Sequence, residues 1–284
     1  MKLISWNIQW SLGADGKVDP RRIVKAARAL ADFDVLCLQE VAAGFPDPGL
    51  RANSGDNQFE AFARLLPGFT AVPVASVDVI GADGKRHVFG NMVLSRLPVL
   101  RVLRHQLPWP VDPAVISMPR TLLEVTIDSP LGPVRVMNTH LEYYSLIQRT
   151  AQVDAVRKLH AEACARASGE RSKELNPTPF LAVPQSAAAI LTGDFNLRPE
   201  DPLHERIQQP PDSGGPRLVD AWQHLHPGQP HPHSVGLYDP GQWPEPFTCD
   251  FMFVTEDWLP HVKRLHVDQD CNYSDHQPLL LELG

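Results

Sequence analysis

Cysteine is scarce in this chain and never paired. Cys37, Cys164, Cys249 and Cys271 are the four cysteines in 284 residues, and no CxxC spacing joins them, so neither a disulfide framework nor a structural zinc knuckle is expected. Cys37 sits inside an apolar run, where a small hydrophobe serves. No stretch approaches the ~20 apolar residues of a membrane helix. No basic segment followed by an apolar core and a small-residue cleavage site opens the sequence either. The expectation is a soluble, cytoplasmic monomer with reduced thiols and no stable membrane association. Positive charge is also short, with Lys+Arg 26 against Asp+Glu 33 and a net charge of −7. That balance argues against a broad basic surface that binds nucleic acid by counterion release. Divalent cations held by some of the acids would neutralise part of the excess.

What is present is enough apolar residue for a full core. Hydrophobic content of 43% and charged content of 21% are ordinary for a globular protein, and the length suits one large domain spanning 1–284. Residues 3–7 read as a strand. Asp19-Pro20 caps a helix carrying Ile23, Val24, Ala27 and Leu30, which leads to a second strand over 35–40. A Gly, Pro, Asn and Asp-rich loop over 42–57 precedes a helix over 58–66. Short strands follow at 70–79, 91–95, 99–103, 122–127 and 134–138, the first closed by a turn at 81–84. A long helix covers 147–167, and 168–185 reads as a surface linker. After a strand at 190–192, the proline-rich stretch 198–248 reads as functional loop. The last strands fall at 251–254, 262–267 and 279–283. Strand-rich halves with helices outside suit two stacked sheets.

The chemistry concentrates where these apolar segments end. Asn7, Glu40, Asp194, Asn196 and Asp275 are hard oxygen donors, suited to Mg²⁺ or Mn²⁺ rather than zinc. Each has an ordinary alternative use, as a turn or helix cap. Together at strand ends they would crowd like charges that a cation relieves. Gly193 allows the sharp turn by which Asp194 and Asn196 face one centre. His140, after Asn138-Thr139, and His276, after Asp275, can donate to a phosphate oxygen or exchange a proton. Asp250 either orients His276 or merely begins a strand. Arg120 could sit near a phosphate, whereas Arg149 reads first as a helix-face charge. Tyr143, Tyr144, Trp109, Trp222 and Trp243 could wall a substrate, although core packing and loop anchoring are commoner uses. His224, His226, His231 and His233 resemble a metal tract, but their Pro-rich setting favours an exposed loop.

In order, Trp6-Asn7, Leu38-Gln39-Glu40-Val41, Gly90-Asn91-Met92-Val93-Leu94-Ser95-Arg96, Asn138-Thr139-His140-Leu141, Gly193-Asp194-Phe195-Asn196, Asp250-Phe251-Met252-Phe253 and Ser274-Asp275-His276 resemble the endonuclease/exonuclease/phosphatase superfamily. Each motif is short; the ordered set, running from Ile4 to Leu283, is specific. The resemblance implies an α/β (α+β) four-layer sandwich, two mixed and mainly antiparallel sheets packed face to face with helices outside. It implies Mg²⁺, with Mn²⁺ as a substitute, held principally by Glu40 with Asn7 and Asp275. Asp194 and Asn196 would orient the water and phosphate, His140 and His276 would bind the scissile phosphate, and Asp250 would support His276. Asn91, Arg120 and Tyr143 would contact substrate.

The leading expectation is a Mg²⁺-dependent phosphodiesterase, with nucleic acid among its candidate substrates. Its rivals are a phosphomonoesterase on a sugar or inositol phosphate, a lipid-headgroup phosphodiesterase, and a metal-binding module with an inactive site. A duplex nuclease would carry a basic flank, and a lipid enzyme an exposed apolar rim.

Overall fold

The computed structural model describes residues 1–82, 84–169, 184–212 and 214–284. Most of the linker expected at 168–185, and Asp83 of the expected turn, lie outside the described residues. Twelve strands are formed among them: β1 Lys2–Asn7, β2 Val35–Ala43, β3 Thr70–Ile80, β4 Arg86–Ser95, β5 Val99–Gln106, β6 Thr121–Ser129, β7 Gly132–His140, β8 Ala189–Asp194, β9 Leu218–Asp220, β10 Asp250–Thr255, β11 Val262–Val267 and β12 Leu279–Leu283. One sheet runs β11-β12-β1-β2-β4-β3, the other β5-β6-β7-β8-β10-β9. The pairs β1/β2 and β7/β8 are parallel, and the other pairings are antiparallel. This is the mixed, mainly antiparallel two-sheet sandwich that the motif order implied.

Helices close the outer faces because their caps and apolar stripes fit there. Asp19 accepts from the Arg21 amide to start α1, Pro20–Leu30, and Asn57 accepts from the Glu60 amide to start α2, Gln58–Leu65. Ile23 and Ala27 of α1 and Phe62 of α2 pack with Ile4, Trp6, Leu36 and Leu38 on the outer face of the first sheet. Ser145 caps α3, Leu146–Ser168, whose Val153 and Val156 cover Met137, Leu191 and Phe253 on the outer face of the second. Between the sheets lie Leu3, Val35, Val125, Val136, Ile190, Met252 and Leu281. No helix among the described residues is long and apolar enough to cross a membrane.

The stretch 198–248 is less irregular than expected. It holds α4, Pro202–Ile207, the strand β9 and α5, Ala221–Leu225. Asp201 and Asp220 cap the two helices. Elements of three to six residues are too short to impose a periodic pattern, which is why composition alone read them as loop.

One polar bridge crosses the inner layer. Gln39 Nε2 donates to Asn138 Oδ1 at 2.6 Å, and Asn138 Nδ2 donates to the carbonyls of Leu38 and Met92 at 3.0 and 3.1 Å. These bonds join the middle of β2 and β4 to β7, one residue from Glu40 and two from His140, tying the two sheets together there.

Candidate active site

Strand alternation and register assemble the site. In β1, Leu3 points into the inner layer while Ile4 and Trp6 point outward, so Asn7 continues the inward set. The same count sends His140 of β7 inward after Val134 and Val136, Asp194 of β8 inward after Ile190, and Asp250 inward ahead of Met252 and Val254. Pairing aligns them: His140 lies opposite Asp194, and Asp194 opposite Asp250.

Glu40 breaks the alternation. Strict period two would send it outward with Leu36 and Leu38. Instead the β2–β4 register shifts between Leu38 and Val41, and Glu40 has φ 60°. It is the extra residue of a β-bulge, a left-handed conformation that costs about 1–3 kcal/mol in a non-glycine residue. Glu40 Oε1 thereby accepts from Asn7 Nδ2 at 3.1 Å, and Val41 returns to the outer layer. Glu40 therefore does not end its strand, as the apolar run suggested; β2 continues through it to Ala43.

Asn7 is a strut between carboxylates. Its Oδ1 accepts from the Gln9 amide at 3.1 Å, and its Nδ2 also donates to Asp194 Oδ2 at 3.0 Å. Asp275 Oδ2 accepts from Trp243 Nε1 at 3.0 Å and from Gln242 Nε2 at 3.4 Å. Burial, and then Asp275, push Glu40 up to about 7, against the pull of His276 and the Asn7 amide. Burial raises Asp194 to about 6, with Asp250 adding to it and His276 opposing it. Crowded carboxylates that resist ionisation are a donor set short of positive charge. A hard divalent cation fits it, with Glu40 and Asp275 as the oxygen ligands and Asn7 holding Glu40 in place.

The two histidines are driven in opposite directions. His140 Nε2 is 3.5 Å from Asp194 Oδ2, and its Nδ1 is 4.0 Å from Glu40 Oε1. Burial, followed by the charges of Arg120 and His276, holds it well below the ordinary imidazole range, so it is neutral. His276 Nδ1 is 2.8 Å from Asp250 Oδ2, and its Nε2 is 3.7 Å from Asp194 Oδ2. Burial opposes its charge, but Asp250, Asp275 and Asp194 outweigh burial and hold it well above the ordinary range, so it is a cation. Asp250 both begins β10 and orients His276. Ser234 Oγ donates to the same Asp250 oxygen at 2.7 Å, a contact without any sign in the sequence, because Ser234 lies in the irregular stretch. Cys249 carries no local signal either; its sulfur, Asp194 and His276 present ligand atoms within 4.8 Å of one another.

The remaining candidates lie around this centre. Asn196, at φ 52°, donates its backbone amide to Asp194 Oδ1 at 2.9 Å and its side-chain amide to the Leu141 carbonyl; it fixes Asp194 and leaves Oδ2 to face the histidines. Arg120 is buried, with Nε donating to Glu142 Oε2 at 3.3 Å, and Asn91 donates to the Thr121 carbonyl at 3.4 Å. Arg149 donates to the carbonyls of Glu142 and Tyr143, so it is tied to the segment before α3 and is not the free helix-face charge expected from sequence. Tyr143 is exposed and meets Tyr144 and Trp243 edge to face. These three, with Asn196, Arg198 and Phe247, line a cleft of about 870 Å³. Trp109 is exposed beside Ser117, and Trp222 stacks on His226. Of the histidine tract, His231 turns inward to Asp220 at 2.8 Å, which corrects the expectation of an exposed loop for that residue.

Known proteins agree with this architecture. The Endonuclease/Exonuclease/phosphatase family matches over residues 4–276, and no curated protein sequence matches the chain. The endonuclease/exonuclease/phosphatase from Beutenbergia cavernae superposes with a TM-score of 0.67 at 25% identity, over 100% of this chain and 72% of its own. The mannosyl-6-phosphatase of Bacteroides thetaiotaomicron gives 0.67 at 19% identity, over 100% and 99%. The human Nocturnin catalytic domain, solved with a bound sulfate anion, gives 0.65 at 16% identity, over 100% and 93%. The last two, at such identities, share the fold alone. With the family match running from the middle of β1 to His276 itself, the chain belongs to the endonuclease/exonuclease/phosphatase family and is a hydrolase of phosphoester bonds.

Proposed function

We propose that the chain is a divalent-cation-dependent phosphodiesterase that uses Mg²⁺, with Mn²⁺ able to substitute. The observation that carries this reading is the convergence of His140 and His276 on one carboxylate oxygen, Asp194 Oδ2, at 3.5 and 3.7 Å. Asp194 is raised to about 6, close enough to neutral pH to accept a proton from an attacking water. Asn196 holds Oδ1, and Oδ2, which accepts from Asn7 Nδ2 and faces both histidines, is the oxygen assigned to take the proton. His276, cationic and aimed by Asp250, donates to a non-bridging phosphate oxygen as negative charge builds there. His140 donates as a neutral imidazole on the other side. A cation bound at Glu40 and Asp275 would polarise the phosphoryl oxygens and stabilise the leaving oxyanion. Water's oxygen forms the new P–O bond, the ester P–O bond breaks, and the water proton goes to Asp194.

Charge and shape support a singly charged diester. The cleft beside the centre sets Arg149 and Arg198 against Glu200, Asp201 and Glu245, and Arg149 is already engaged with two carbonyls. A polyphosphate or long duplex would meet little surplus positive charge there. Tyr143, Tyr144 and Trp243 offer flat apolar surface for a nucleobase in a nucleotide or single strand. A second reading, a diester in a lipid headgroup, has its own support. Trp109, Val111 and Ile116 are exposed on the 107–120 loop, and Leu146 and Ile147 on the start of α3; Ser145 and Gln148 bind that loop through Asp112 and Pro110, so these apolar side chains form one rim.

The test is a panel of bis-p-nitrophenyl phosphate, p-nitrophenyl phosphate, dinucleotides, single-stranded and duplex DNA, RNA and phospholipid vesicles, each with Mg²⁺, with Mn²⁺ and with EDTA. Diester cleavage that needs the cation supports the proposal, and vesicle cleavage in preference to dinucleotides selects the second reading. Absence of cation-dependent diester cleavage, or faster monoester than diester turnover, would sink it.

A further inference from the structure

We propose that His204, Asp220 and His231 form a second metal site, outside the active cleft, that takes Zn²⁺ and pins the loop supporting His276. The three come from separate elements: His204 from α4, Asp220 from the junction of β9 and α5, and His231 from the irregular stretch beyond α5. Nε2 of each histidine stands 2.8 Å from the same oxygen, Asp220 Oδ2, and the three ligand atoms all lie within 4.8 Å of one another. All are withdrawn from solvent, with side chains 3% exposed for His204, 8% for His231 and 1% for Asp220.

The arrangement is organised by the fold independently of the histidines. Asp220 Oδ1 accepts from the amides of Trp222 and Gln223 at 2.7 and 3.2 Å, so helix capping alone aims Oδ2 at the pair. The His204 ring packs on Phe251 and Phe253, with centroids 4.8 and 5.3 Å away. The His231 ring stands edge-on to Phe251 at 5.4 Å.

Two imidazole nitrogens and one carboxylate oxygen are the ligand set of open four-coordinate zinc centres, which leave one position for water. Mg²⁺, which demands an oxygen octahedron, is the poorer match. Ligation through Nε2 puts the proton of His204 on Nδ1, beside the Gln208 side chain, whose carboxamide oxygen accepts from the Asp220 amide at 3.0 Å. A cleft of about 740 Å³ lined by Gln223, Gln229, His231, His233 and Thr248 supplies the approach.

The site reaches the catalytic centre along a short path. Three residues after His231, Ser234 Oγ donates to Asp250 Oδ2 at 2.7 Å and the Ser234 carbonyl accepts from the Gln277 amide at 2.8 Å. Val235 pairs with His276 as an isolated bridge. Fixing His231 therefore fixes the segment that holds the Asp250–His276 pair.

The rival account is that both imidazoles simply donate N–H to Asp220, with no metal. Chelator-stripped protein loaded with one equivalent of Zn²⁺ separates the two by X-ray absorption at the zinc edge. Two imidazole scatterers at ~2.0–2.1 Å, an oxygen shell and no sulfur, kept in His140→Ala and lost in His231→Gln, support the proposal; a sulfur at ~2.3 Å would assign the ion to Cys249, and a two-imidazole shell that survives His231→Gln would assign it to His140 and His276 of the active cleft, and either overturns it. Co²⁺ in a Cys249→Ser background gives a second measurement. A visible absorption band of tetrahedral cobalt, displaced by Zn²⁺ and weakened at least tenfold in affinity by His231→Gln, is expected. An unchanged titration in His231→Gln, or no tetrahedral band at all, refutes the site whether or not that variant loses stability.

Discussion

His276 Nδ1 and Asp250 Oδ2 stand 2.8 Å apart, although 26 residues separate them. Asp250 reaches this position because β10 pairs with β8 in the register that sets it opposite Asp194. One carboxylate therefore fixes the ring orientation of His276, and with Asp275 and Asp194 it holds the imidazole protonated against burial. A hydrogen bond to the second ring nitrogen decides which proton the working nitrogen carries.

Asp250→Asn keeps the shape and removes the charge. We expect kcat/KM to fall on the order of 10²-fold or more, with KM changing far less. The raised pKa of His276 keeps it cationic as pH rises past its ordinary value. Without Asp250 that pKa drops, so the alkaline limb of the pH–rate profile moves to lower pH. An unmoved alkaline limb would show that Asp250 does not set the charge of His276.

Glu40, raised to about 7, should report cation binding through protons. Below pH 7 the cation-free carboxyl is mainly protonated, and a bound cation requires it ionised. Mg²⁺ titrations followed by calorimetry in buffers of different ionisation enthalpy should release close to one proton near pH 6 and few above pH 8. Glu40→Gln should abolish that pH dependence and lower activity by a factor on the order of 10² or more. Proton release that persists in Glu40→Gln would move the cation to other ligands.

Trp243 couples the aromatic wall to Asp275 through Nε1 at 3.0 Å. Phenylalanine keeps a ring opposite Tyr143 and loses the bond; alanine loses both. Trp243→Phe should alter mainly kcat and cation affinity, whereas Trp243→Ala should also raise KM, stacking being worth ~1–3 kcal/mol per base. Equal KM values for the two variants on a dinucleotide would remove the wall from substrate binding.

How much of this was legible beforehand depended on whether the signal was local. The apolar runs of β1 and β12 and the apolar spacing of α3 act within a few residues, and those elements appear close to where the sequence put them. The bulge at Glu40 is set by the partner strand β4, so the same residues read in isolation placed Glu40 at a strand end. Ser234, Trp243 and His231 lie in a proline-rich stretch without period, and their partners Asp250, Asp275 and Asp220 are 16, 32 and 11 residues away. No local pattern announces contacts of that kind.

Gly193 tests whether the β7–β8 pairing is what brings His140 and Asp194 together. It has φ 138°, and a Cβ there would lie 1.9 Å from the Thr139 carbonyl oxygen, a backbone atom of the paired strand that no rotamer change can move. Thr139 is opposite Gly193, and the next pair along is His140 with Asp194. Relieving the clash therefore requires the two strands to part where His140 and Asp194 are held. Gly193→Ala should destabilise by more than ~4 kcal/mol, the range reserved for disrupted cores and strained backbone; that corresponds to roughly 10 °C or more in Tm. Gly132, at φ 103° with nothing within 4 Å of where a Cβ would stand, is the control. Its alanine variant meets only the conformational penalty of about 1–3 kcal/mol and should keep full activity. If Gly193→Ala instead melts with Gly132→Ala and turns over substrate at the unmutated rate, the strand pair yields more than its geometry allows, and the register loses its claim to position the site.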